Sequence, residues 1–147
     1  MDEAAFRAAR GAVGARACVF EKALLAQCAG CGHAARHALA EREAVGCRSA
    51  VAHANCATLL GMLRERSVFV LRIGPADGPL PHATTMRLQC GGLAGLAVAV
   101  GAEVASDVHG LVAAAQARYG SLSDLPWPAL VAAVAGWRGR RRRGDPR

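Results

Sequence analysis

Along most of the chain apolar residues return every three or four positions against a background of alanine, the strongest helix former, and this predicts successive helices. The first covers residues 2–10; Gly11 and Gly14 then weaken the pattern, and a second at 15–27 presents Cys18, Leu24, Leu25 and Cys28. Ala29-Gly30-Cys31-Gly32 breaks it. A third helix is predicted at 33–45, closed by Gly46, and a fourth from an N-cap at Ser49 through Leu60 and Leu63. At 67–73 Phe69, Leu71 and Ile73 alternate with Val70 and Arg72, so a short strand competes with continued helix, and 86–90 is a second candidate strand. Three prolines and two glycines in residues 74–81 predict a loop. Gly91-Gly92 then reads as a turn into the apolar segment 93–100. A helix at 103–118 carries Val104, Val108, Leu111, Val112 and Ala115 on one side and ends at Tyr119-Gly120. The last begins between Pro126 and Pro128, its apolar face formed by Trp127, Leu130, Val131, Val134 and Trp137.

These elements predict a mainly α fold, a compact bundle of five to six helices with at most a short two-stranded β element. At 147 residues the chain has the length of one domain, expected over 1–137, with a basic, disordered tail at 138–147. With 53% hydrophobic and 20% charged residues it is too apolar for an extended disordered chain. No apolar run approaches the roughly 18 residues of a membrane-spanning helix. The acidic start Met1-Asp2-Glu3 differs from the basic opening of a secretory signal, so the expected location is the reducing cytoplasm.

The net charge of +7 is unevenly shared: Arg138, Arg140, Arg141, Arg142, Arg143 and Arg147 against Asp145 give the tail +5 and leave +2 for the body. Such a tail can bind nucleic acid by releasing counterions. The body has no basic stripe with interleaved aromatics, so an arginine-rich, alanine-rich composition accounts for the tail better than a binding role does. A protein partner is therefore expected ahead of nucleic acid, and no membrane span.

Six cysteines follow the pattern C-x9-C-x2-C-x15-C-x8-C-x33-C, at 18, 28, 31, 47, 56 and 90. In a reducing compartment this points to metal or redox chemistry rather than disulfides, and thiolates suit zinc, copper(I) and iron–sulfur clusters. In Cys28-Ala29-Gly30-Cys31-Gly32, two intervening residues bring both sulfurs toward one metal. Unbroken helices would hold Cys18 about 15 Å from Cys28 and Cys47 about 13 Å from Cys56, although the chain can bend at the Ser49 cap. A cluster accepts ligands from scattered segments more readily than one zinc ion does. The expected ligands are Cys28, Cys31, Cys47 and Cys56, with Cys18 and Cys90 as substitutes, around an iron–sulfur cluster; zinc is the alternative cofactor. Burial as small apolar side chains is the plain alternative for all six.

On the predicted third helix His33, His37 and Glu41 share a face, and Cys28, Cys31, His33 and His37 make a compact, atypically spaced zinc set. His53 and Cys56 are helical neighbours. Catalytic readings are thinner. A thiol–disulfide role for Cys28 and Cys31 lacks the βαβ setting that usually depresses the attacking thiol, but Gly32 and His33 permit a helix start after Cys31 and keep it as an alternative. Cys90 with His82 or His109 has no local signature of a nucleophile and base. Gly91-Gly92-x2-Gly95 is no phosphate loop and reads as close packing.

Leu80-Pro81-His82, Met86-Arg87-Leu88-Gln89-Cys90-Gly91-Gly92-Leu93-x-Gly95-Leu96 and Ala40-Glu41-Arg42-Glu43 ahead of Cys47 together resemble a small family of uncharacterised bacterial, mainly proteobacterial, proteins. The likeness runs from Cys18 to the arginine tail. It implies that Gln89-Cys90-Gly91-Gly92 belongs to the site, and it carries no catalytic assignment.

Overall fold

The computed structural model describes residues 16–74, 78–103 and 105–139. It is mainly helical with one two-stranded antiparallel sheet. A short helix α1 (Glu21–Leu25) leads through the cysteine turn into strands β1 (Ala34–Leu39) and β2 (Arg42–Cys47). Helix α2 (Ala50–Arg66) follows, then a single turn α3 (Val68–Leu71). Residues 82–99 form one helical rod: α4 (His82–Met86), a π-helical turn (Arg87–Gly91) and α5 (Gly92–Ala99). Helices α6 (Val108–Tyr119) and α7 (Trp127–Gly136) complete the described chain. The helix expected at 2–10 and most of the basic tail lie outside the described residues.

The β element is real but stands elsewhere than expected. Residues 33–45, read as helix, form most of the hairpin, whose register pairs Ala34 with Cys47 and Leu39 with Arg42. Its turn, Ala40-Glu41, puts Ala40 at φ 58°, a left-handed conformation that glycine usually supplies, so alanine there gives no turn signal. Strand-like backbone at 16–18 backs the hairpin: Cys18 N donates to Val45 O at 2.8 Å and Cys47 N to Arg16 O at 2.9 Å. The helix expected over 15–27 shrinks to α1. It ends in a Schellman motif, with Gln27 at φ 63°, Gln27 N donating to Leu24 O and Cys28 N to Ala23 O.

Both expected strands, 67–73 and 86–90, are helical instead. Val68–Leu71 closes on Arg72 at φ 54°, and strand propensity is too weak to resist packing against α7. Gly91-Gly92 continues the rod rather than turning it, and the glycines serve close packing, as their pattern suggested. A Cβ on Gly92 would stand 2.7 Å from Leu63 Cδ1, one on Gly91 2.8 Å from Val134 Cα, and one on Gly95 2.9 Å from Ala133 Cβ. Helices α2 and α7 thus close onto the rod, and Leu59, Leu63, Leu93, Leu96, Leu130 and Val134 fill the core between them. Ser49 caps α2 as expected, its Oγ accepting from Ala52 N at 3.1 Å. The α6 helix starts at Val108 and ends at Gly120, φ 87°; Trp127, Leu130 and Val134 form the buried face of α7. No described helix is long and apolar enough to cross a membrane.

Candidate metal centre

Cys18, Cys31, Cys47 and Cys56 line one cavity, each brought there by a different segment. Cys18 stands on the strand-like stretch beside β2. Cys47 ends β2, where the thiol donates to Ser49 O at 3.2 Å, and the bend at Ser49 swings α2 back so that Cys56 faces the same space. Cys31 belongs to a turn fastened to the start of α6. Gly30 N donates to Ala105 O at 2.9 Å, Val108 N to Gly30 O at 2.8 Å, and Gly32 N to Asp107 Oδ1 at 3.1 Å. Gly30 is needed for that approach, since a Cβ would stand 2.9 Å from Ser106 O. On the other side Arg48 N donates to His33 O at 2.9 Å, and Glu21 Oε2 accepts from Val45 N at 2.8 Å.

The cavity has an apolar lining of Phe20, Ala34, Ala52 and Val108, with His33 and His53 beside the thiols. The space open to the centre of a water-sized body measures about 20 Å³, within about 330 Å³ of empty space that includes open solvent. A volume of about 10–15 Å³ suffices for one water-sized body. His53 Nε2 donates to Ala17 O at 3.1 Å, and the His33 ring stands edge-on to His109 with centroids 4.8 Å apart.

The thiols sense one another. Burial pushes Cys56 from 9.0 up to about 12, and the charges of Cys31, Cys18 and Cys47 push the same way. Cys18 is pushed to about 11, again first by burial; a backbone hydrogen bond at Phe20 opposes this, and the charges of Cys31, Cys47 and Glu21 add to it. Loading such a site means displacing protons held more tightly than in a free thiol. Among the described residues, no three His, Cys, Asp or Glu side chains are grouped to hold a metal ion as they stand. A metal would have to draw the four thiols inward.

Relative to the set expected from the sequence, Cys18 stands where Cys28 was expected. Cys28 turns the other way and meets Cys90, whose thiol is held above the ordinary range by burial first and then by a hydrogen bond with Cys28 and its charge. The six cysteines therefore divide into four and two. The helical premise behind the 15 Å and 13 Å separations fails, because neither pair shares one unbroken helix. His37 lies on β1 and Glu41 in its turn, so the helical face expected of His33, His37 and Glu41 does not exist. His82 opens the rod at an exposed position beside Met86, Arg87 and Trp137, and His109 packs against His33. Sequence reasoning missed the anchors Glu21 and Asp107; an acidic residue directly before the apolar helix α6 was the available signal for the second.

Comparison with protein-family models, curated proteins and solved structures gives no match.

Proposed function

We propose that this is an iron–sulfur protein of a reducing, cytoplasmic compartment whose cluster is held by Cys18, Cys31, Cys47 and Cys56. The observation that carries the reading is the convergence of four thiols from four segments on one cavity with an apolar lining. Closely spaced ligand pairs, the usual mark of a structural zinc site, are lacking there, since the one C-x2-C pair sends only Cys31 to the cavity. Four thiolates suit iron, and scattered ligands suit a cluster. When bound, such a cluster supplies one-electron chemistry. The chain's own part is to present the sulfurs, limit water through Phe20, Ala52 and Val108, and keep His33 and His53 beside them. Electron transfer to a protein partner, cluster delivery and redox sensing are the activities this arrangement suits.

A single zinc ion is the second reading, favoured by the small cavity volume of about 20 Å³. Anaerobic purification followed by assay of iron, acid-labile sulfide and zinc separates the two. Iron and sulfide with broad visible absorption that bleaches on reduction are expected. Stoichiometric zinc alone would replace the first reading with the second, and a chain that stays metal-free after reconstitution would overturn both.

A further inference from the structure

The π-helical turn Arg87–Gly91 is the least regular part of a rod otherwise α-helical from 82 to 99, and such turns are found mostly where a helix does something specific. Here four consecutive residues, Leu88, Gln89, Cys90 and Gly91, are all buried. Gln89 Oε1 accepts from Ala23 N at 3.1 Å in the buried junction with α1, tying the turn to the helix that leads into Cys28. The Schellman motif after α1, held by Gln27 in the left-handed region, fixes the backbone of Cys28 from the other side. Two irregular pieces of backbone thus meet at Ala23, whose N–H bonds Gln89 and whose carbonyl accepts from Cys28 N, and they bring one half-buried thiol and one buried thiol, 2% exposed, side by side.

We propose that Cys28 and Cys90 are a thiol–disulfide exchange pair that reduces a low-molecular-weight disulfide, with Cys28 attacking and Cys90 resolving. The roles follow from access: Cys28 is the half-buried member and Cys90 the buried one. The Cys28 thiolate attacks one sulfur of R–S–S–R, the S–S bond breaks, and RS⁻ leaves with the electron pair to be protonated. Cys90 then loses its proton, its sulfur attacks the Cys28 sulfur, and the second RS⁻ leaves and is protonated. Two protein thiols become one disulfide while one small disulfide becomes two thiols. The pair lies apart from the four-thiol cavity, so this inference does not rest on the metal reading.

The test uses the full chain in glutathione buffers of graded redox ratio, quenched with acid, alkylated and mapped by peptide mass spectrometry. A Cys28–Cys90 cross-link is expected to form as the buffer becomes oxidising and to vanish with dithiothreitol. In Cys90→Ser the glutathione adduct should persist on Cys28, and in Cys28→Ser residue 90 should stay unmodified. Wild-type mapping decides the matter even if a variant fails to fold. A Cys28–Cys31 cross-link, or both thiols remaining free in the most oxidising buffer, would overturn the proposal. Parallel metal assay of the same samples keeps the two readings separable, since the cross-link is expected with or without metal.

Discussion

Cys28 and Cys31 are partners in the sequence and strangers in the fold: Cys31 opens onto the cavity with Cys18, Cys47 and Cys56, while Cys28 meets Cys90. Gly30, pinned on both its N–H and its carbonyl between Ala105 and Val108, separates them.

This division makes substitution diagnostic. Cys18→Ala, Cys31→Ala, Cys47→Ala and Cys56→Ala should each abolish or strongly deplete bound iron after reconstitution, whereas Cys28→Ala and Cys90→Ala should retain it. Metal content per folded chain is the readout. Equal loss from all six would mean that the four-and-two grouping is not the functional one.

Glycine spacing gives a stability series. Gly92→Ala forces a methyl against Leu63, and Gly91→Ala forces one against Val134 Cα and Ala133 O, which are backbone atoms and cannot rotate aside. Overpacking of this kind costs about 1–3 kcal/mol, with Gly91→Ala expected at the upper end. Gly61→Ala, in α2 with nothing within 4 Å, should instead gain about 0.5–1 kcal/mol. Urea midpoints measured at unchanged slope would rank the three.

Replacing Gln89 by leucine removes the acceptor for the buried Ala23 N–H. Leaving such a donor unsatisfied costs about 1–3 kcal/mol. Because α1 is only five residues long, amide exchange over residues 20–28 should rise more than over α7. Uniform loss of protection across the chain would argue against a local tie.

Alkaline pH should destabilise the metal-free chain. Cys18, Cys56 and Cys90 all ionise less readily folded than their ordinary value of 9.0, chiefly through burial. Their contribution is complete below pH 9. Above it the unfolded chain releases these protons first, so stability falls through about pH 11 for Cys18 and about pH 12 for Cys56. Denaturation at stepped pH should show a decline beginning near pH 9 that is shallower in Cys56→Ala. A flat profile to pH 11 would contradict the burial of these thiols.

The sequence made the α2 cap, the bend after Cys47 and the close-packing glycines legible, because Ser49 and Gly91-Gly92-x2-Gly95 carry their mechanism locally. The hairpin was hidden for the opposite reason. Its turn rests on Ala40 and its strands on alanines, and what selects strand is pairing with residues 16–18 and the reach of Glu21 to Val45, both distant in the sequence. Helical periodicity then hid Cys18 as a cavity residue, since it forced Cys18 and Cys28 apart. The π-helical turn was equally illegible: Met86 to Cys90 looks like a short strand, and only burial against α1 and α7 decides otherwise.

The fastening of the cysteine turn to α6 also divides the supports of the two groups of sulfurs. Backbone bonds at Ala105 and Val108 and the Asp107 carboxylate hold residues 30–32, the stretch to which Cys31 belongs and which begins two residues after Cys28. Lifting the first turn of α6 would therefore free the backbone that presents Cys31 to the cavity, while Cys28 stays tied to α1 through its own N–H on Ala23 O. The two groups of sulfurs thus hang on different supports, one on the start of α6 and one on the end of α1.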